Sequence, residues 1–276
     1  MKTETKVWIF FGILSLLVLI WGFHLGGREG LFISFWIDTL FWALFMRCDP
    51  LRTLHNLNAE ELLGRDPWDI IDHSTRIAHQ LSLKAPRIFL VHTHYPVATA
   101  WVGTDQRNYI CISHSLIKKF HAKDLEILIT YLVCSLINKS QFTHRLGLLL
   151  TESVLLWGDL MDSAFNKLNR NKSRRVTLFS RILDPIAWVF LRLFAKSTSF
   201  YRIDDITSDV INSRKALAEF LWKMESLTQA RPPVVPPCSA HSYVVTPHPL
   251  IDNRWYRNPH PQLTIRTKRL VGTEYL

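Results

Sequence analysis

Asp124-Leu125-Glu126-Ile127-Leu128-Ile129-Thr130-Tyr131-Leu132-Val133-Cys134-Ser135-Leu136-Ile137-Asn138 is the stretch that decides how this chain folds. On a helix over 122–138, Leu125, Ile127, Leu128, Ile129, Tyr131, Leu132, Val133, Cys134, Leu136 and Ile137 make a surface apolar nearly all round, and such a helix is a buried one. The rest of the chain must supply partners on every side of it. Upstream, Arg87 to Val91, Val97 to Val102 and Asn108 to Ile112 are short, β-branched and aromatic, broken by Tyr95-Pro96 and Gly103-Thr104-Asp105, and they read as a small sheet. Asp66-Pro67 signals a helix start, with Trp68, Ile71, Ile77 and Leu81 following at helical spacing. A short helix over 113–119 precedes the buried one, and a long helix over 203–227 follows, carrying Ile206, Val210, Leu217, Phe220, Leu221 and Met224. The predicted class is mainly α with a small β-sheet.

The N-terminus has a different texture. After Lys2 and Lys6, Val7 to Phe23 is an apolar run that covers roughly 25 Å of a ~30 Å hydrocarbon layer, and a second run follows from Leu31 to Met46. Gly22-Phe23-His24-Leu25-Gly26-Gly27 offers no small-residue cleavage site, so an uncleaved transmembrane hairpin over 1–50 is expected rather than a signal peptide. Asp38 lies inside the second run, either as a functional group or paired with a neighbouring helix. Lys2 and Lys6 before the hairpin and Arg47 and Arg52 after it put both ends, and the globular part, on the cytoplasmic side.

Residues 51–230 form the globular domain, interrupted by a helical hairpin over 142–196, and 231–276 is a Pro-rich link with a basic tail completing that domain. In the inserted hairpin, Leu146 to Leu160 is interrupted by Glu152 and Asp159, and Thr177 to Phe194 by Arg181, Asp184, Pro185 and Arg192. Lys167, Arg170, Lys172, Arg174 and Arg175 lie between the two segments. Crossing a bilayer with these charges runs against the positive-inside rule, so an interfacial hairpin whose basic tip meets anionic lipid is preferred, with a solvated loop between two core helices as the alternative.

Composition agrees with a membrane protein: 10 Trp, 16 Phe and 48% apolar residues in 276, unevenly spread. The net charge of +10 suits anionic lipid or nucleic acid, and the apolar segments favour lipid; no nucleic-acid signature accompanies the charge. Four cysteines, Cys48, Cys111, Cys134 and Cys238, form no C-x-x-C pair and indicate neither a disulfide framework nor a zinc knuckle.

The order of motifs resembles the HtpX-type family of membrane-bound zinc metalloproteases. Ala85-Pro86-Arg87-Ile88-Phe89-Leu90-Val91 followed by Val97-Ala98-Thr99-Ala100-Trp101-Val102-Gly103 is similar to the family's strand pair, the second holding its Asn-Ala-Phe-Ala-x-Gly edge. Ile110 to Ile117 is similar to its Val-Ala-Val-Ser-x-Gly-Leu-Leu, and Asp124 to Ile129 to the approach to its metal helix, with Asn138 at the family's Asn. Phe200-Tyr201-Arg202-Ile203-Asp204 resembles Glu-Tyr-x-Ala-Asp. Thr246-Pro247-His248-Pro249 with Arg254, and Asn258-Pro259-His260-Pro261 with Arg266, resemble the His-Pro element before its last helix.

That resemblance implies a zincin-like fold in which Tyr131 and Ser135 stand where the family has its two His ligands, Leu132 where it has the catalytic Glu, and Phe200 where it has the third ligand. Asp204 and Asn138 stand at retained supporting positions, and Ala98, Thr99, Ala100 and Trp101 at the substrate-groove edge. Phenol, isobutyl, hydroxyl and benzyl groups do not replace three ligands and a water-activating carboxylate, so neither zinc nor any other cofactor is expected. A dry aromatic plug is expected in its place.

Other chemistries stay open at this point. Cys134 is a conceivable nucleophile with His114, His121 or His144 as base; Cys238, His241, His248 and His260, or His92 and His94, are conceivable metal donors, with no strong motif spacing. The expected function is a membrane-anchored pseudoprotease that holds a membrane-protein client or a partner protease by strand addition to Val97–Val102, sited in a bacterial inner membrane. The alternatives are a residual or altered hydrolase using a non-zinc site, and a purely structural membrane protein.

Overall fold

Gly26 and Gly27 break the first helix, α1 (Thr3–Arg47), into two limbs: Gly27 has φ 59° and ψ −134°, a conformation open to glycine and strained for a residue with a β-carbon. The computed structural model describes residues 3–47, 58–64, 66–103, 107–137, 141–168, 178–194, 198–233, 242–247 and 260–272. The chain divides into two units, Met1–Asp49 and Pro50–Leu276.

In the first unit the two limbs fold back on each other. A β-carbon added to Gly22 would run into Ser34, and one on Gly30 into the Gly22 carbonyl, so small residues set the close approach of the limbs. Halfway along, the Ser15 hydroxyl donates to Asp38 Oδ1 at 2.8 Å and the Trp42 indole N–H donates to Ser15 Oγ at 3.1 Å. Asp38 therefore has a partner within its own hairpin. Leu17, Ile20, Phe32, Ile33 and Trp36 are exposed, and Ser15–Ala43 is long and apolar enough to cross a membrane.

Among the described residues of the second unit the first strand, β1 (Glu60–Glu61), is not anticipated from sequence; it pairs antiparallel with β2 (Arg87–Val91). Between them, α2 (Ile70–Gln80) starts a few residues after Asp66, whose carboxylate accepts the backbone N–H groups of Trp68 and Ile71. β3 (Ala98–Val102) and β4 (Asn108–Ser113) complete a sheet of order β1-β2-β4-β3, with β2 and β4 parallel and β3 and β4 antiparallel. After α3 (His114–Lys119), the decisive helix α4 (Ala122–Ser135) is buried from Ile127 to Cys134, as its all-round apolar surface requires. One sheet face, with Ile88, Leu90, Ala100, Ile110 and Ile112, joins α4 in the main core; Val91, Val97, Trp101, Tyr109 and Cys111 form a second cluster on the other face.

α5 (Gln141–Leu168) and α6 (Leu178–Phe194) pack along each other, the first longer than the apolar run 146–160 suggested. Asp162 of α5 accepts the N–H groups of Phe179 at 2.8 Å and Ser180 at 3.0 Å, supplying acceptors that the first turn of α6 lacks. Gly158 lets the helices meet, since a β-carbon there would sit 2.8 Å from Ser180 Cα. Trp157, Leu160 and Met161 of α5 and Ile182, Ile186 and Val189 of α6 are exposed.

The single helix expected over 203–227 is two. α7 (Thr198–Ile211) ends at Asn212, in the left-handed region at φ 53°, and α8 (Arg214–Ala230) starts behind Ser213, whose hydroxyl accepts the Ala216 N–H at 3.2 Å. Asn tolerates that conformation and Ser is a strong helix cap, so the break is locally favoured despite the unbroken apolar periodicity. The last helix, α9 (Leu263–Val271), packs on α7 and α8.

Candidate functional site

α4, α7 and α9 converge on a single guanidinium. Arg266 of α9 is 1% exposed and makes a two-pronged ion pair with Asp204 of α7, Nε to Oδ2 at 2.9 Å and Nη2 to Oδ1 at 2.6 Å. Nη2 also donates to the Tyr131 hydroxyl at 2.8 Å, and Nη1 donates to the Val244 carbonyl at 3.0 Å. The cation lies 5.8 Å from the Tyr131 ring centre and 5.9 Å from that of Phe200. Phe200 packs in turn on His260, ring centres 4.4 Å apart. Burial works against the charge on Arg266, but Tyr131 and Asp204 outweigh it and raise the guanidinium above its ordinary value. Burial pushes the Tyr131 phenol up, opposed by the positive Arg266, and it pushes up the Glu225 carboxyl of α8, again with Arg266 opposing.

Of the residues singled out from sequence, Tyr131, Phe200 and Asp204 are brought together, with Arg266 between them. Leu132 is buried in the main core. The Ser135 hydroxyl donates to the Leu132 carbonyl of its own helix at 2.6 Å. Asn138 lies outside the described residues. The dry aromatic plug needs correction: aromatic rings form its wall, but its centre is a buried, hydrogen-bonded ion pair. In the sequence Arg266 stands out only as part of a His-Pro element, and nothing there points to Glu225 or Val244; the available signal was a basic residue on the apolar face of the last helix, with Leu263 and Leu270.

Ala98, Thr99, Ala100 and Trp101 do form the terminal strand of the sheet, yet all four are buried, and Thr99 is bridged antiparallel to Tyr243. The groove edge is thus covered at Thr99 by the chain itself. Lys167 is exposed near the end of α5; Arg170, Lys172, Arg174 and Arg175 lie outside the described residues. So do Cys238, His241 and His248, and the His144 side chain is not described. His92 and His94 follow β2 rather than sharing its face; His92 sits 3.4 Å from Glu60, with its ring centre 5.5 Å from that of His114.

No family model matches the chain. It is 24% identical over 282 aligned residues to a protease HtpX homolog of Pyrococcus furiosus, covering 96% of this chain and 95% of the relative. A protease HtpX homolog of Pyrococcus abyssi is 24% identical with the same coverages, and one of Pelotomaculum thermopropionicum is 18% identical over 96% of this chain and 97% of the relative. The chain is HtpX-like.

The zinc ion implied by that likeness does not suit the residues around Arg266. Tyr131, Ser135 and Phe200 supply no nitrogen, thiolate or carboxylate donor, the Asp204 carboxylate is taken up by the arginine, and a buried cation repels a second one. Among the described residues no three His, Cys, Asp or Glu side chains group as metal donors. Cys134 lies within the main core. Its thiol is fully buried and pushed up to about 11 by that burial, against a smaller opposing contact from Thr207, so the thiolate is scarce at neutral pH.

Proposed function

We propose that this HtpX-like chain is a membrane-anchored pseudoprotease, with a zincin-like scaffold, that binds a membrane-protein client or a partner protease without cleaving it. The observation that carries the reading is the Arg266–Asp204 pair seated between Tyr131 and Phe200, where the resemblance implies ligands. An arginine cannot lose its proton at physiological pH, so the cation held beside these rings neither binds a metal nor activates water. Support for the membrane setting comes from the apolar exterior of α1 and the exposed apolar residues of α5 and α6. The basic tip at Lys167, Arg170, Lys172, Arg174 and Arg175 supports contact with anionic lipid, each basic residue contributing about 1 kcal/mol near the surface. The charges at Lys2, Lys6, Arg47 and Arg52 support a cytoplasmic globular unit in a bacterial inner membrane.

The test is made on the full chain purified in detergent, exposed to zinc and desalted. Metal content well below one ion per chain, no casein hydrolysis above buffer, and a rise in fluorescein-casein anisotropy are expected. Stoichiometric zinc with chelator-sensitive hydrolysis sinks the proposal. Hydrolysis resistant to chelator but lost in Cys134→Ala would instead favour an altered hydrolase.

A further inference from the structure

Ser15 and Asp38 each stand at the middle of an apolar run, Val7 to Phe23 and Leu31 to Met46, and the folding of α1 brings them together. The Ser15 hydroxyl donates to Asp38 Oδ1 and the Trp42 indole N–H donates to Ser15 Oγ, so a chain of donors ends on the carboxyl. Among the described residues Asp38 Oδ2 receives no hydrogen bond. The other polar neighbours are engaged or face elsewhere: Ser34 sits at the Gly22 crossing, Thr39 gives its hydroxyl to the Phe35 carbonyl, and the exposed Trp36 ring packs edge-on with Phe32 and Phe35. Every residue within four positions of Ser15 is apolar. The cations nearest Asp38 along its own limb, Arg28 and Arg47, are at least about 13 Å of helix away. Gly12 adds a second feature. A β-carbon there would meet nothing within 4 Å, whereas the positions beside Gly22 and Gly30 are filled by the crossing of the limbs. Gly12 lies three residues before Ser15 and shares its helix face, which leaves a notch of bare backbone one turn from the pair. In hydrocarbon an acceptor without a donor is unfavourable, and ionisable groups at that depth take partners.

From this we infer that Asp38, held by Ser15 and Trp42, is an intramembrane recognition site for a client's transmembrane helix that carries a lysine or arginine at mid-depth. Charge complementarity selects the occupant. The site has an open acceptor and both of its donors are already engaged, so an ammonium or guanidinium supplies the missing donor together with the opposite charge. Ser15 and Trp42 fix the orientation of the carboxyl, and the notch at Gly12 lets the client's backbone come close enough for its side chain to reach Oδ2. A wholly apolar helix gains little here, because lipid tails solvate it as well as the hairpin does. The inference rests on the membrane-anchored binding reading above, and it adds the depth in the bilayer at which a client is read and the charge that reads it.

The probe is a transmembrane peptide of about 20 leucines and alanines with a single lysine at its centre and an acceptor dye at one end. It is reconstituted with the donor-labelled full chain in phosphatidylcholine vesicles, and association is read by resonance energy transfer. The lysine peptide should associate at least about tenfold more strongly than the same peptide with a central leucine. Moving the lysine to one turn from the peptide's end should remove that preference, and so should Asp38→Asn. Asp38→Glu should keep part of it, and Ser15→Ala should weaken it about threefold. Gly12→Leu, at a position with open space around it, should remove the preference with the carboxyl intact. Equal association of the lysine and leucine peptides overturns the inference, as does a preference that survives Asp38→Asn or Gly12→Leu. Energy transfer between two copies of the chain that is lost in Asp38→Asn, with no preference for the lysine peptide, would assign the carboxyl to self-association and overturn it equally. Casein held by a chain that ignores the lysine peptide would remove this inference and leave the pseudoprotease reading standing. Zinc-dependent cleavage would remove that reading instead.

Discussion

Asp204 and Asp205 are neighbours on α7, and each is paired with an arginine of α9, yet the two pairs live in different surroundings. Asp204 and Arg266 are 3% and 1% exposed, bonded through two contacts and supported by Tyr131 and the Val244 carbonyl. Asp205 and Arg269 meet at 2.6 Å with nearly half of each side chain in solvent, and Arg269 lies over the Tyr201 ring at 4.9 Å. Identical functional groups on the same two helices thus form an internal junction and a surface contact. Water decides the difference: it screens the outer pair, while inside only protein groups are there to satisfy a stranded charge.

The comparison is broken most severely by removing one inner partner. Arg266→Leu should cost about 3–5 kcal/mol, read as a lowered denaturant midpoint of the detergent-solubilised chain, because Asp204 is left charged and buried. Replacing both, as Asp204→Leu with Arg266→Met, should recover much of that loss; a double variant no better than the single one would mean that the pair is needed for its geometry. The same Arg266→Leu change should raise the rate of Cys134 alkylation at pH 8, followed by mass spectrometry. In the native chain that thiol is buried and held at about 11, so it reacts only when α4 and α7 part. Tyr131→Phe should cost about 1 kcal/mol, since Arg266 Nη2 keeps Asp204 as an acceptor. Arg269→Ala should cost no more than about 1 kcal/mol, and that loss should vanish in high salt. An outer-pair effect as large as the inner one would refute the contrast.

Much of the fold is legible in the sequence because it is written in short-range patterns. β2, β3 and β4 follow from β-branched and aromatic runs bounded by turn residues, and the burial of α4 follows from its lack of a polar face. Patterns of that kind fail where a local signal competes with periodicity. The apolar spacing from Ile203 to Leu227 reads as one helix, while Asn212 and Ser213 divide it. They fail too where a segment is too short to have a period, as at Glu60–Glu61. That Tyr131, Leu132, Ser135 and Phe200 stand where the resemblance implies ligands and a catalytic Glu is legible in the letters alone, since side-chain chemistry belongs to the residue. That Tyr131 and Phe200 meet the Arg266–Asp204 pair is not legible there, and neither is the bridge at Thr99.

By itself, the sequence determined which segments are apolar enough for a membrane or a core and where β2, β3 and β4 lie. Those properties depend on residues within a few positions of one another. Only the tertiary structure decided that Arg266 would reach Tyr131 across 135 residues and Asp204 across 62, that β4 would lie between β2 and β3, and that Tyr243 would bridge the edge strand at Thr99. Such contacts between distant positions are chosen by the packing of the whole core, where a buried charge must find its partner in whatever helix the fold brings to it.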